Sequence, residues 1–389
     1  MQQAIPSRPS ISPSVGTTRL LSLDTFRGLT VAAMILVNNP GDWGHIYAPL
    51  GHAHWHGWTP TDLIFPFFLF IVGVSISYAL KKESGPTFGE QERTKGLIWK
   101  IVKRSLILFA LGLFLNLFPK FDFSTVRIPG VLQRIALVYL AASIIYLKTT
   151  TRTQSWLIVS LLVGYWLTMS FVPVPDFGPA NLEPETNLGA WLDRTLLGGH
   201  LWKTAKVWDP EGLLSTLPAI ATGLSGILAG TLLKSNRPEA EKTVWLFVAG
   251  CLSLLGAYIW NGFFPINKSL WTSSFVLLTS GLALQALALC YWLIDVQGYR
   301  SWTKPFVAFG VNAITVFFLS GLIPRILNMI RVPQPDGSDI GAKEWLYQTF
   351  FVPYFENPYN ASLAGALTFV LIWFMILYGM YQKKIIIKV

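Results

Sequence analysis

The sequence predicts an all-α protein that crosses a membrane many times. Hydrophobic residues make up 52% of the 389-residue chain and charged residues only 13%, which is about half the charged fraction of a soluble globular protein. Apolar stretches of about 20 residues, the length that spans a bilayer, recur along the whole chain. Because a backbone in lipid must satisfy its own hydrogen bonds, each stretch is expected to be a helix.

We predict ten transmembrane helices in one domain that covers residues 20–389. The preceding residues, 1–19, are polar and rich in Ser and Pro, so we expect a disordered cytoplasmic tail without a cleavable signal. The predicted spans are residues 23–39, 59–80, 104–119, 131–147, 155–172, 213–233, 243–261, 272–293, 305–323 and 361–382.

The distribution of Lys and Arg predicts the orientation of these helices. Cytoplasmic loops of membrane proteins carry an excess of positive residues, and here such residues collect in alternate loops and near both ends. Both termini are therefore predicted to be cytoplasmic, and in a bacterium the chain would be a multi-pass protein of the inner membrane. The net charge of +10 follows from these residues. Their ordinary partners are membrane lipids, and we expect no nucleic-acid partner.

Four of the five histidines fall within twelve residues, just before the second predicted span: His45, His52, His54 and His56. Histidine exchanges protons near neutral pH more readily than other side chains, so the cluster indicates chemistry on the periplasmic side. A metal site is one alternative, but no cysteine accompanies the histidines and no carboxylate has a zinc-motif spacing, so we expect no metal. Simple anchoring of a helix end by His and Trp is another alternative.

Several polar and charged residues lie within the predicted spans or at their ends. Such groups are costly at membrane depth and by default face a polar cavity, although a pair such as Asp24 and Arg27 can also be a structural clamp. Most lie at far-side helix ends, which predicts a polar pocket that opens outward. The residues are Asp24, Arg27, Asp62, Gln133, Arg134, Asp209, Glu211, Asn267, Lys268 and Asn312.

Two far-side loops, residues 173–212 and 324–360, are long and contain no predicted regular structure. Loops of that length are usually functional, and we expect these two to cover the pocket. Surface decoration is the alternative.

Eight short motifs run through the chain from residue 22 to residue 312: SLDTFRG (22–28), VN (37–38), HAHWHGWT (52–59), DLIFP (62–66), RIPGVLQR (127–134), DPEG (209–212), PINKSLW (265–271) and GVN (310–312). In this order and approximate spacing they resemble the heparan-α-glucosaminide N-acetyltransferase family. Members of that family are membrane enzymes that transfer acetyl from cytosolic acetyl-CoA to the amino group of a terminal glucosamine across the membrane.

The sequence also departs from the family. The loop before His52 is longer, and His54 and His56 stand where small polar residues are expected. These differences favour an acceptor such as free glucosamine or an amino sugar of the cell wall or of an oligosaccharide.

The resemblance implies that His52 is the catalytic residue and Asn38 its assistant, with acetyl-CoA as co-substrate. An amine must be unprotonated to attack, so His52 is predicted to be a general base in a ternary complex, while an acetyl-histidine route stays open. Asn38 is a candidate donor to the oxyanion, and Asp62 is expected to orient the imidazole.

The remaining candidates divide between coenzyme A and the acceptor. A homodimer is an open expectation, and an amino-sugar or proton-coupled transporter that uses the same pocket is the alternative function. The candidates for coenzyme A are Arg27, Lys103, Arg104 and Arg134. The predicted acceptor contacts are Asp24, His54, Trp55, His56, Gln133, Asp209, Glu211, Asn267, Lys268 and Asn312.

Overall fold

A computed structural model describes residues 20–80 and 88–387 and shows a helical protein with one short β-hairpin. The all-α class predicted from composition is confirmed. The tail predicted over residues 1–19 lies outside the described residues.

Thirteen α-helices and two β-strands make up the regular structure of the described residues. A 3₁₀ turn, Pro60–Leu63, leads into α2, and a π-helical turn, Tyr291–Val296, continues α9. The first helices are α1 (Leu21–Asn38), α2 (Ile64–Ala79), α3 (Phe88–Leu117), α4 (Val131–Lys148), α5 (Thr151–Phe171), α6 (Leu188–Leu197) and α7 (Thr216–Leu233). The later elements are α8 (Glu239–Asn261), α9 (Ser273–Cys290), α10 (Lys304–Val311), α11 (Ala313–Met329), the antiparallel strands β1 (Arg331–Pro333) and β2 (Asp339–Gly341), α12 (Ala342–Phe350) and α13 (Pro358–Gln382).

Among the described residues, eight helices are long and apolar enough to cross a membrane, or nine if the bent pair α10–α11 counts as one span. Each of the ten predicted spans overlaps a helix. The long helix α3 is not among the eight, since Lys100, Lys103 and Arg104 interrupt its apolar part. The chain is therefore a multi-pass membrane protein, while the count of ten and the orientation of the termini stay predictions.

Helices α2 and α7 cross at two glycines. A Cβ on Gly73 would come within 2.0 Å of the Gly223 carbonyl oxygen, and one on Gly226 within 2.0 Å of the Phe70 carbonyl oxygen. Only a hydrogen atom fits at either position, so the two backbones approach as closely as small residues allow in membrane helix pairs. This contact holds α2 in the centre of the molecule, where it also packs on α1, α4 and α9.

Asn312 separates α10 from α11, and the two helices are bent by 78°. Its buried side chain binds the C-terminal segment instead of continuing the helix. The Nδ2 atom donates to the Ile385 carbonyl (3.1 Å), and Oδ1 accepts from the Ile387 amide (2.9 Å). The predicted span over residues 305–323 is therefore two helices bent at Asn312 and not one continuous helix.

The expectation that the two long loops lack regular structure is wrong. Residues 173–212 contain α6, and residues 324–360 contain the end of α11, the β-hairpin and α12. Helix α6 starts at an Asn187 cap, whose side chain accepts a hydrogen bond from the Ala190 amide (2.9 Å). These elements are short and only partly apolar, so a search for membrane-length apolar stretches does not detect them.

Candidate active site

His52 and Asp62 form a buried-carboxylate–imidazole pair. The His52 Nδ1 atom lies 2.7 Å from Asp62 Oδ1. The Asp62 side chain is 1% exposed, whereas the His52 side chain is 54% exposed. A carboxylate on one ring nitrogen fixes the tautomer and leaves the other nitrogen, Nε2, to exchange a proton.

The position of Asp62 follows from the start of α2. Its Oδ2 atom accepts from the backbone amides of Thr59 (3.0 Å) and Ala53 (3.1 Å), and the Thr59–Asp62 pair forms a capping box on the 3₁₀ turn. At Gly57 the loop takes a positive φ of 96°, which glycine adopts without strain. One carboxylate thus joins the histidine loop to the first turn of a membrane helix.

Lys268 contacts both members of this pair. Its Nζ atom lies 3.4 Å from Asp62 Oδ1, 2.9 Å from His52 Nδ1 and 3.3 Å from His52 Nε2. Because the two ring nitrogens are on different sides of the imidazole, a group close to both lies over the face of the ring rather than in its plane. Burial lowers the pKa of Lys268, and the carboxylate of Asp62 opposes that effect.

These residues line a cavity of about 460 Å³, hereafter the His52 cavity. It is bounded by the end of α1, the start of α2, the start of α4 and the loops that carry Trp202, Trp208 and Lys268. Its polar and aromatic lining includes Asn38, His52, His54, Trp55, Asp62, Arg127, Trp202, Trp208, Glu211 and Lys268.

Three tryptophans form a continuous aromatic wall of this cavity. The Trp55 and Trp208 ring centroids are 5.2 Å apart, and those of Trp208 and Trp202 are 5.5 Å apart, both in edge-on geometry. Trp55 is held by a hydrogen bond from Nε1 to the Leu182 carbonyl (2.9 Å). The wall presents large, rigid apolar area next to His52.

Two arginines hold the segment 209–215 against the cavity. Arg127 donates through Nε and Nη2 to the two Asp209 oxygens (2.8 and 2.6 Å) and through Nη2 to Glu211 (2.5 Å), and these carboxylates raise its pKa against the effect of burial. Arg134 is fully buried, donates to the Gly212 carbonyl (2.9 Å) and lies over the Trp271 ring. Arg127 binds the Glu211 side chain directly, and Arg134 binds the backbone of the next residue, so Glu211 is held in the lining of the cavity.

A second cavity of about 430 Å³, hereafter the Arg104 cavity, lies at the opposite ends of α1 and α2. Arg27 reaches it from the first turns of α1 and is held by Asp24 (2.9 Å) and Ser75 (2.8 Å). The guanidinium of Arg104 lies 5.0 Å from the Tyr139 ring centroid. Its lining includes Arg27, Phe68, Ser75, Arg104, Tyr139, Asn312, Ile314 and Ile387.

The two cavities approach each other inside the helix bundle. On α2, Phe65 lines the His52 cavity and Phe68 lines the Arg104 cavity. On α11, Phe317 lines the His52 cavity and Ile314 lines the Arg104 cavity. Residues three apart on a helix are neighbours about one turn apart. The two spaces therefore come from opposite ends of the bundle to within about one helical turn of each other along both α2 and α11.

The predicted site residues divide among these places. The His52 cavity takes Asn38, His52, His54, Trp55, Asp62, Glu211 and Lys268, and the Arg104 cavity takes Arg27, Arg104 and Asn312. Gln133 lines a third cavity beside the first. Six predicted residues line none of these cavities: Asp24, His56, Lys103, Arg134, Asp209 and Asn267.

Three of these six residues bind other parts of the protein instead of lining a cavity. Asp24 and Asp209 pair with arginines, and Asn267 accepts from the Leu270 amide (2.9 Å) in its own loop. The histidine cluster is also divided, since His45 pairs with Asp42 (2.5 Å) outside the His52 cavity. In the part of the chain that the structure describes, no three His, Cys, Asp or Glu side chains are grouped to hold a metal ion.

Three residues that line the His52 cavity were not predicted from the sequence as site residues. Arg127 stands in the RIPGVLQR motif, which was a usable signal, but its partners lie more than eighty residues away. Trp202 and Trp208 lie in a long loop of the kind expected to cover a pocket. Among 16 tryptophans in the chain, nothing local distinguishes these two.

Comparison with known proteins agrees with the motifs. The family model "heparan-alpha-glucosaminide N-acetyltransferase, catalytic" matches residues 19–192, a range that contains His52 and Asp62. The human heparan-alpha-glucosaminide N-acetyltransferase is 29% identical over 95% of this chain. This chain is similar to these acetyltransferases over most of its length. The mouse acetyltransferase is 28% identical over the same share, and the chain spans 60% of the length of both relatives.

Asp193, on α6, is a further buried acid, and it contacts the segment that carries Glu211. Its Oδ1 accepts from the Leu213 amide (2.9 Å), and a Cβ on Gly212 would come within 2.0 Å of its Oδ2. Burial raises the pKa of Asp193 to about 6, with a smaller contribution from the charge of Asp209. Its protonation therefore couples the stability of this loop to pH.

Asp193→Asn is expected to flatten the pH dependence of stability between pH ~4 and ~6. An unfolded Asp ionises near pH ~4, so between these values the folded chain binds more protons than the unfolded chain. The wild type therefore loses stability as pH rises through this window. The variant should be more stable at pH 7–8 by roughly 1–3 kcal/mol and equal to the wild type near pH 4. Unfolding in detergent measures this, with the exposed Asp176→Asn as control; parallel pH curves for wild type and Asp193→Asn would contradict it.

Proposed function

We propose that this protein is a transmembrane acetyltransferase. It moves acetyl from cytosolic acetyl-CoA to the amino group of a glucosamine-type sugar on the periplasmic side. His52 acts as general base in a ternary complex. The homology to N-acetyltransferases supports the reaction class. The observation that carries the proposal is that the His52 and Arg104 cavities reach toward each other from opposite ends of the bundle.

The donor is assigned to the Arg104 cavity. Its lining carries two guanidinium groups, Arg27 and Arg104, which suit the phosphates of coenzyme A. Its deeper part is apolar, with Phe68, Val72 and Ile314, and suits the slender pantetheine arm. Threading this arm between α2 and α11 brings the thioester toward His52 while the nucleotide stays at the predicted cytoplasmic end.

The acceptor is assigned to the His52 cavity. The tryptophan wall of Trp55, Trp208 and Trp202 offers a face on which the apolar side of a sugar ring can pack. Glu211, which lines the same cavity, provides an acceptor of hydrogen bonds for sugar hydroxyls or the amine. The exposed position of His52 leaves its ring open to a substrate in this space.

His52 and Asp62 supply the proton transfer. With Nδ1–H donating to Asp62, Nε2 takes the proton that the amine loses as its nitrogen attacks the thioester carbonyl. The bond from nitrogen to the acetyl carbon forms, the bond from that carbon to sulfur breaks, and His52 then returns the proton to the leaving thiolate. Asp62 stabilises the transient imidazolium, as a carboxylate does in other base-orienting pairs.

Asn38 is the proposed donor to the oxyanion. It stands at the last turn of α1, is exposed to the His52 cavity, and belongs to the motif that the family shares. A side-chain amide is suited to stabilise the negative charge on the carbonyl oxygen of the transition state. Direct transfer requires no acetylated enzyme, so acetyl-CoA alone should leave His52 unmodified.

The test is acetyl-CoA turnover by the purified protein with glucosamine as acceptor. Sugar-dependent release of coenzyme A is expected, and His52→Ala should lower it by about 10²–10⁴-fold, because general base catalysis contributes that much. Asp62→Asn should give a large loss with normal acetyl-CoA binding. His45→Ala is the matched control, since His45 does not line the His52 cavity. Full activity of His52→Ala would remove His52 from the reaction, and uptake of the sugar without coenzyme A release would favour a transporter.

A second prediction separates two adjacent cations. Arg104 lines the Arg104 cavity, whereas its neighbour Lys103 is exposed and does not. Arg104→Gln should weaken acetyl-CoA binding by about tenfold or more, as expected for the loss of one charge-assisted hydrogen bond. Lys103→Gln should leave the affinity within about twofold of the wild type. Equal effects of the two substitutions, measured by calorimetry, would contradict the assigned donor site.

A further inference from the structure

The His52 cavity contains an amine that belongs to the protein itself. Among the described residues that line the cavity, Lys268 is the only lysine. It lies in the loop between α8 and α9, within the PINKSLW motif. Its side chain is 20% exposed, so it is not sealed beneath the cavity wall. The proposed reaction transfers acetyl to an amine in this cavity, and Lys268 places a group of the same chemical class there.

The Lys268 amine also has the neighbour that an acceptor amine requires. Its Nζ atom lies 3.3 Å from Nε2 of His52, the nitrogen assigned to take the proton from the acceptor. A general base acts on a proton that it can reach through a hydrogen bond. Proton transfer requires Nζ to move from above the imidazole ring toward the ring plane. The flexible four-carbon side chain of lysine permits this movement.

The surroundings of Lys268 favour the neutral form of its amine. Burial lowers the pKa of Lys268, against the opposing charges of Asp62 and Glu211. A lower pKa raises the fraction of neutral amine, which is the form that attacks a thioester.

The carboxylate of Asp62 does not depend on the Lys268 charge. Its contact with Nζ is 3.4 Å long. Four shorter hydrogen bonds reach the same carboxylate, from His52 Nδ1 (2.7 Å), the amides of Thr59 (3.0 Å) and Ala53 (3.1 Å), and the Thr59 hydroxyl (3.2 Å). A neutral Lys268 therefore leaves no unsatisfied buried carboxylate.

We propose that Lys268 is a site of self-acetylation when acetyl-CoA is bound and no sugar occupies the His52 cavity. This inference rests on the proposed function. The neutral Nζ atom attacks the thioester carbonyl, the bond from nitrogen to the acetyl carbon forms, and the bond from that carbon to sulfur breaks. His52 takes the proton from Nζ and returns it to the thiolate of coenzyme A.

The product is a neutral amide beside His52. The added acetyl group occupies space that the acceptor needs, and the amide nitrogen is no longer a nucleophile. Self-acetylation therefore inactivates the enzyme. A bound sugar protects Lys268, because it fills the cavity and supplies a competing amine.

The experiment incubates the purified protein with acetyl-CoA in the absence of sugar and locates added acetyl groups by peptide mass spectrometry. Lys268 should be acetylated, and glucosamine in the same incubation should suppress the modification. His52→Ala should slow it by about 10²-fold or more, as for the loss of a general base. Lys268→Arg, which retains the positive charge, should gain no acetyl group in the cavity.

Lys343 is the matched control site within the same molecule. Burial lowers its pKa as well, and its Nζ atom donates to the Pro40 carbonyl (3.4 Å). It does not line the His52 cavity, so it should remain unmodified. After removal of acetyl-CoA, the wild type should have lost coenzyme A release with glucosamine in proportion to the acetylated fraction of Lys268. Preincubation with coenzyme A in place of acetyl-CoA should cause no such loss.

The outcomes separate this proposal from the proposed function. An unmodified Lys268 in a protein that releases coenzyme A with glucosamine overturns self-acetylation alone. Equal acetylation of Lys268 in the wild type and in His52→Ala also overturns it, because the amine would then react without the base. Equal acetylation of Lys343 has the same meaning, and so does acetyl found on His52 instead of Lys268. A protein that neither releases coenzyme A with glucosamine nor acetylates Lys268 defeats the proposed function itself.

Discussion

The carboxylate of Asp62 is the interaction on which the candidate active site depends. It is almost fully buried, and it receives His52, the amides of Ala53 and Thr59, and the charge of Lys268. A buried carboxylate is stable only with such partners. By binding these groups at the first turn of a membrane helix, Asp62 fixes the geometry of the loop that carries His52, as the proposed proton transfer requires.

A second constraint is set by the membrane. In the proposed reaction, a donor confined to one side of the membrane and an acceptor confined to the other can react only where two cavities meet within the helix bundle. The close glycine contact between α2 and α7 holds α2, whose residues Phe65 and Phe68 line the two spaces. The aromatic wall and the segment 209–215, which Arg127 and Arg134 hold, complete the His52 cavity from loops. In the proposed reaction the helices therefore form the path of the donor, and the loops form the acceptor site.

The sequence predicts most of the membrane helices and several residues of the His52 cavity, and the features that it does not predict have physical causes. Apolar stretches locate the helices because lipid imposes a length and a composition. Such stretches do not predict the start of α3, because its residues are polar. They do not predict the break at Asn312 either, because the residues on both sides of it are equally apolar. The motifs locate His52, Asn38 and Asp62, which lie close in the chain. Arg134 was a candidate for coenzyme A, yet its partners are carbonyls nearly eighty residues away. No local pattern reveals whether a charge faces a cavity or a carbonyl.

Acetyl transfer across the membrane is tested most directly by the sidedness of the reaction in sealed proteoliposomes that hold the protein in one orientation. Acetyl-CoA is supplied only on the side of the C-terminal lysines, and glucosamine or a glucosamine disaccharide only on the side of His52. Transfer across the membrane should give N-acetylated sugar in the sugar compartment and free coenzyme A in the other, and neither product with His52→Ala. Product formed only when donor and acceptor share one compartment would contradict transfer across the membrane.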